Sequence, residues 1–271
     1  MTRSASPHVL SLHHYPIKSC RGIDVASSHV EARGLAGDRR FMVVDAAGTF
    51  RSQRNDPSLA HVTVQVDSSR LTLTRAGADP LEVDLAQAAR GTRITTSVWR
   101  HEGPAVDQGD QPAAWLTSLL GSPSRLVHMP DDVRRPVNPE RAVSPDDVVG
   151  FADGYPVLLT STASLAALQD KMDEHVPMDR FRANVVVEGA VAWAEDAWQE
   201  VLIGEVRFAV VADCTRCAIT TTDQLTGERT REPLRTLGRV RKTNNGVTFG
   251  RYLVPIDTGK LRVGDEVNVL R

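Results

Sequence analysis

The sequence predicts an α+β, β-rich fold: a barrel-like β architecture with peripheral helices. Three observations predict it. Short β-branched segments recur along the chain, only two segments carry a helical pattern, and no apolar run approaches the ~20 residues of a membrane helix. Val9-Leu10-Ser11-Leu12 opens the series of strands. Arg40-Phe41-Met42-Val43-Val44-Asp45 follows and ends in an Ala46-Ala47-Gly48 turn. Val62 to Val66 and Leu71 to Thr74 alternate with period two around Asp67-Ser68-Ser69, a hairpin signal. Ile94 to Trp99, Val185-Val186-Val187 and Val201 to Val211 read as further strands. Asp110 is placed to cap a helix carrying Trp115, Leu116, Leu119 and Leu120, with Gly121 as its stop. Ser161 is placed to cap another, in which Leu165, Leu168 and Met172 share one face. The proline-rich stretch Arg134 to Pro139 reads as a connector between sub-domains.

At 271 residues there is room for one large or two modest domains. A net charge of −2 argues against bulk binding to nucleic acid or an acidic membrane surface, and neither is expected as a partner. Three cysteines do not make a disulfide framework, and the opening Met1 to Pro7 lacks the apolar core of a signal peptide, so a cytoplasmic location is expected. Neither a GxGxxG motif nor a Walker loop is present, so no nucleotide-binding motif is visible.

Chemistry concentrates at Cys214-Thr215-Arg216-Cys217, which runs into Ala218-Ile219-Thr220-Thr221-Thr222. A thiol beside a guanidinium is biased toward thiolate, the form that binds metal or attacks. Taken alone the pair stays open. A structural zinc site needs a second pair, a thioredoxin-type redox pair belongs at a helix start rather than before a β-branched run that favours a strand, and two inert core thiols are equally compatible. Cationic loops recur elsewhere: Lys18-Ser19-Cys20, Gly37-Asp38-Arg39-Arg40, Phe181-Arg182-Ala183-Asn184 and Phe249-Gly250-Arg251-Tyr252. Scattered, these are solvated strand ends; gathered at one cleft they make a phosphate pocket.

In this order the segments resemble the MOSC family, named for the C-terminal domain of molybdenum cofactor sulfurase, and within it the branch of the amidoxime-reducing component and its bacterial relatives. The resemblance rests on Tyr15-Pro16-Ile17-Lys18-Ser19-Cys20-Arg21-Gly22, Gly34 to Arg39, Cys214 to Thr221, Arg231 to Leu237, Phe249 to Tyr252 and Val263 to Val267. It implies a MOSC β-barrel core from 1–39 with 136–271, and a smaller inserted N-terminal-type sub-domain at 40–135. It implies a pterin-based molybdenum cofactor, with Cys217 as the metal ligand and sole catalytic residue; thiolate is a soft ligand suited to that role. No pyridoxal phosphate is expected. Carried over by position, Lys18, Ser19 and Arg39 contact the pterin and its phosphate. Arg182 and Asn184 do so from the other side, Thr215 and Arg216 lie beside the ligand, and Tyr252 closes the pocket. Arg54 also echoes the family. Asp153 is a candidate polar contact, and Gly154 and Tyr155 are expected to bind through backbone N–H groups. There the chain departs from its relatives, which carry small hydroxyl side chains.

The activity implied is reduction of N-hydroxylated compounds such as amidoximes, hydroxylamines and N-hydroxylated bases. Electrons would come from a separate reductase or carrier protein. The alternative is a carrier that hands the molybdenum cofactor, or sulfur on Cys217, to another enzyme. Neither the iron–sulfur domain of some bacterial relatives nor the membrane anchor of the mitochondrial one is expected here. Cys214 and Cys20 are expected to be structural.

Overall fold

The computed structural model describes residues 6–271, so most of the polar opening segment lies outside the described residues. Strand outweighs helix, 39% to 16%, with three α-helices among the described residues. The largest sheet has nine strands. Its order runs Val267–Val269, Glu200–Ile203, Val206–Thr215, Gly246–Pro255, Val157–Ser161, Val185–Glu188, His8–His14 and Ile23–Val25, with Lys242–Thr243 paired to Gly246–Pro255. A bridge between His8 and Glu266 brings the opening strand back beside the closing one, and the Val267 N–H donates to the Pro7 carbonyl at 2.7 Å. The sheet therefore curls closed, which removes the exposed edges an open sheet would present.

Alternation explains the interior. Val157 and Leu159, Val185 and Val187, Val201 and Ile203, and Val206, Phe208 and Val210 form one buried cluster inside the barrel. Their neighbours of opposite parity point outward: Leu158, Val186 and Tyr252 belong to a second cluster on the outer wall. The one parallel contact described in this sheet, Val157–Ser161 with Val185–Glu188, needs a crossover, and the helix Thr162–Gln169 supplies part of it. Ser161 caps that helix through its hydroxyl, accepting from the Ser164 N–H. Met172 lies past the helix end at Gln169 yet joins Leu165 and Leu168 in one apolar cluster.

Residues 41–128 supply two further sheets. One orders Phe41–Asp45, Ser124–His128, His101–Asp107 and Arg93–Val98; the other is the meander Thr63–Val66, Arg70–Thr74 and Leu81–Asp84. The helix Asp110–Leu120 packs Leu116 against this second core and stops at left-handed Gly121. A small sheet of Gly259–Arg262, Ser27–Glu31 and Gly34–Leu35 completes the fold. Among the described residues no helix is long and apolar enough to cross a membrane.

Three local expectations are corrected. Val201 to Val211 is not one strand but two, because Gly204 turns the chain at φ 56°. Gly109, not Asp110, occupies the cap; the Asp110 carboxylate accepts from Arg125 at 2.9 Å instead. Ala218–Thr221 forms a short 3₁₀ turn rather than a strand. Its Thr220 and Thr221 hydroxyls donate back to the Cys217 and Ala218 carbonyls at 2.9 and 2.7 Å, a local bond that competes with sheet pairing.

Candidate functional site

A cavity on the outer barrel wall encloses about 670 Å³, open solvent included. Lys18 and Ser19 enter it from the loop after the opening strand, and Arg39 from the next loop. Asp153 and Tyr155 come from the segment before Val157–Ser161, and Arg182 and Asn184 from the turn before Val185–Glu188. Thr215, Arg216 and Cys217 end the strand Val206–Thr215, and Tyr252 faces them from Gly246–Pro255. Gly154 does not line this cavity; it lies on an adjoining groove, and a Cβ built on it would meet open space.

A β-bulge sets the orientation of the two thiols. Val210 pairs with Leu253 and Ala212 with Tyr252, so one extra residue is inserted at Val211. The insertion reverses parity: Val210 points into the barrel, whereas Cys214 joins the outer cluster with Tyr252. Cys214 is buried, and burial pushes its thiol pKa up against the opposing pull of Arg216. Arg216 reaches its sulfur at 2.6 Å and donates its other Nη to the Phe181 carbonyl at 2.6 Å. Cys217, two residues beyond the strand, is only half-buried and lines the cavity. Cys20 is fully buried and pushed up to about 12 by burial.

Four cations line the space, Lys18, Arg39, Arg182 and Arg216, against one lining carboxylate, Asp153. Lys18 Nζ is 2.5 Å from Asp153 and donates to the Phe151 carbonyl at 2.9 Å. Burial lowers the Lys18 pKa; burial alone would raise that of Asp153, but Lys18 and Arg54 hold its carboxyl well below the usual carboxylate range. Arg39 pairs with Asp38 at 2.5 Å. Arg182 faces Gln224 Oε1 at 3.4 Å, and burial lowers its pKa. The excess of positive charge suits an anion, and the buried Arg216 Nε has no hydrogen-bond partner among the described residues.

Two predicted contacts are committed inside the protein. Asn184 accepts from Arg39 at 2.9 Å and from the Leu158 N–H at 3.1 Å, and donates to the His13 carbonyl at 3.1 Å. It forms the wall and fixes Arg39. Asp153 serves as counter-ion to Lys18, with Arg54 at 3.6 Å.

Sequence reasoning missed the supports. Tyr15, quoted only as part of a motif, lies between two guanidiniums: Arg39 and Arg182 each sit 4.3 Å from its ring centre. Arg135, read as connector, is buried and donates to the carbonyls of Gly150, Ala152 and Asp153, which shapes the loop carrying Asp153. Gln53 and Gln224 exchange two amide hydrogen bonds at 3.0 Å, and Gln53 also donates to the Ser19 carbonyl. No local pattern marks such residues, since each partner lies far off in sequence. Backbone conformation marks the site as well. Of the five non-glycine residues with positive φ among those described, Ser19, Arg39 and Arg182 line the cavity.

Comparison with known proteins gives the kinship. The model of the MOSC N-terminal beta barrel domain matches residues 6–123, and that of the MOSC domain matches residues 146–268. The chain belongs to the MOSC family. It is 34% identical over 272 residues to human mitochondrial amidoxime-reducing component 1, covering 94% of this chain and 81% of that protein. The mouse protein of that name is 35% identical, covering 94% and 80%. Human molybdenum cofactor sulfurase is 32% identical over 92% of this chain but 30% of its own length.

Proposed function

We propose that this MOSC protein is a molybdenum-cofactor-dependent reductase of N-hydroxylated compounds. The observation that carries the reading is the convergence of one accessible thiol, Cys217, with Lys18, Arg39, Arg182 and Arg216 in one cavity. The donor set fits a phosphate-bearing pterin: cations exceed carboxylates, and Arg216 Nε is a buried donor awaiting an acceptor. A single soft thiol fits a molybdenum ligand, while Cys214 is already engaged by Arg216. The name of the amidoxime-reducing relatives supports the substrate class.

In this reading Cys217 holds the metal, the four cations and Ser19 hold the cofactor's phosphate and pterin, and Thr215 and Tyr252 complete the wall. When bound, the cofactor supplies two-electron removal of oxygen from nitrogen. In the overall reaction the N–O bond breaks, two electrons and two protons are consumed, and the amine or amidine leaves with water. A separate reductase or electron-carrier protein is the source of electrons. The same reading keeps a barrel core of 1–39 with 136–271 and an inserted sub-domain of 40–135. The nine-stranded sheet, drawn from both ends of the chain, supports that division. A cytoplasmic setting belongs to it too, with all three cysteines free.

The sulfurase relative favours a second reading, a carrier of cofactor or sulfur. Turnover separates the two. Protein purified from a host that makes the cofactor, given a chemical electron donor, is expected to reduce an amidoxime to an amidine. Full molybdenum loading with no reduction of any amidoxime, hydroxylamine or N-hydroxylated base would favour the carrier.

A further inference from the structure

Beside the cavity runs an adjoining groove that shares Tyr155 with it and is lined by Phe50, Trp99, His101, Arg135 and Gly154 among others. Trp99 is its anomaly. It is the first of two residues joining the strands Arg93–Val98 and His101–Asp107, whose ends pair Val98 with His101. Its φ is 58°, and Arg100 has no positive φ. A two-residue hairpin with positive φ only at its first position is where glycine is the ordinary choice. Here that position carries the largest side chain available, 46% exposed. A strained, solvent-facing aromatic that breaks a local rule calls for a reason beyond folding.

The ring is held in place. Trp99 Nε1–H donates to Asp153 Oδ1 at 3.2 Å, and Asp153 in turn pairs with Lys18 in the main cavity. The Arg54 guanidinium sits 4.4 Å from the indole centre, and Phe50 packs against it at 4.9 Å. Tyr155, at the junction of groove and cavity, is itself stacked on Tyr252 at 4.8 Å. The groove therefore offers an anchored, half-exposed aromatic surface that leads to the space around Cys217.

We propose that this groove is the substrate subsite and that it selects N-hydroxylated compounds bearing a planar aromatic or heteroaromatic ring, which stacks on Trp99. The nature of the reacting group rests on the function proposed above; the stacking does not. Stacking of a planar ring on an aromatic side chain changes affinity by roughly tenfold.

Benzamidoxime and acetamidoxime share the reacting group and differ only in the ring, so they make a matched pair. The variant Trp99→Gly deletes the indole together with its bond to Asp153 and its contacts with Arg54 and Phe50, and installs the residue that the backbone favours; Trp99→Phe keeps a ring and loses only the Nε1–H bond, so the two separate stacking from anchoring. Calorimetric titration of the purified protein should give tighter binding of benzamidoxime than of acetamidoxime. That preference should shrink about tenfold in Trp99→Gly and persist in Trp99→Phe. The ratio of kcat/KM for the two compounds should move in parallel. A preference unchanged by Trp99→Gly, an equal loss for both compounds, or no preference in the parent protein would overturn the subsite. Should neither compound be reduced while ring-dependent binding is still lost in Trp99→Gly, amidoxime reduction fails and the subsite stands. Should both be reduced with an unchanged ratio, the subsite fails and the activity stands.

Discussion

At the scale of single residues, the Lys18–Asp153 pair shows how the cavity holds its charges. Lys18 is almost wholly buried, whereas the Asp153 side chain is 42% exposed. Water therefore screens one partner, and the pair is worth less than a fully buried one. Replacing Asp153 by Asn keeps an oxygen that accepts from Lys18 but removes the negative charge that offsets its ammonium. We expect a loss of about 1–2 kcal/mol in unfolding free energy, below the 3–5 of a pair buried on both sides. The pH dependence follows from the direction of the Asp153 shift. Its folded carboxyl keeps its charge to lower pH than the unfolded one, so the contribution is complete above the ordinary value of 3.8 and fades as pH falls beneath it. Thermal melts of the two proteins should thus differ by a constant amount between pH 5 and 7 and converge below about pH 4. A gap that widens on acidification would contradict the assignment. Lys18, Arg39, Arg182 and Arg216 were legible as cations at loop positions. Their convergence was not, because it depends on contacts between segments more than a hundred residues apart.

At the scale of elements, irregular backbone aims the site. The bulge at Val211 turns Cys214 outward, and a second irregularity between Asp213 and Thr215 faces Gly250 on the partner strand. Gly250 has φ +80°, and a Cβ there would lie 2.7 Å from the Leu159 carbonyl oxygen. Gly250→Ala must therefore strain the strand or push it from its neighbour. The expected cost is about 2–4 kcal/mol, read as a lower denaturation midpoint with an unchanged slope. A midpoint within error of the parent would show that the strand relaxes there. Regular elements were legible to within a residue or two at Phe41–Asp45, the hairpin Thr63–Val66 with Arg70–Thr74, and the start of the helix capped by Ser161, which ends at Gln169, short of the expected Met172. Alternation and cap chemistry are local signals, so they survive without tertiary context. The misreadings share a cause. Gly204 splits the β-branched stretch Val201 to Val211 by its backbone conformation, and threonine hydroxyls fold Ala218–Thr221 back on Cys217, neither of which hydrophobic periodicity records.

At the scale of the whole molecule, the cavity exists because distant parts of the chain are pinned together. The Gln53–Gln224 amide pair joins two segments 171 residues apart, and the Arg229 guanidinium donates to the carbonyls of Gln53 and Arg54. Asn184 and Tyr15 hold Arg39 between the opening strand and the barrel wall. This scaffold leaves Cys217 half-buried at the cavity while Cys214 and Cys20 are sealed away. That difference among the three thiols singles out Cys217 as the proposed metal ligand. The most direct test is the molybdenum content per chain, by plasma mass spectrometry, of the parent protein and of Cys217→Ser and Cys214→Ser made in a host that produces the cofactor. We predict near-stoichiometric metal in the parent and in Cys214→Ser, and its loss in Cys217→Ser. Retention of metal in Cys217→Ser, with loss in Cys214→Ser, would contradict the account.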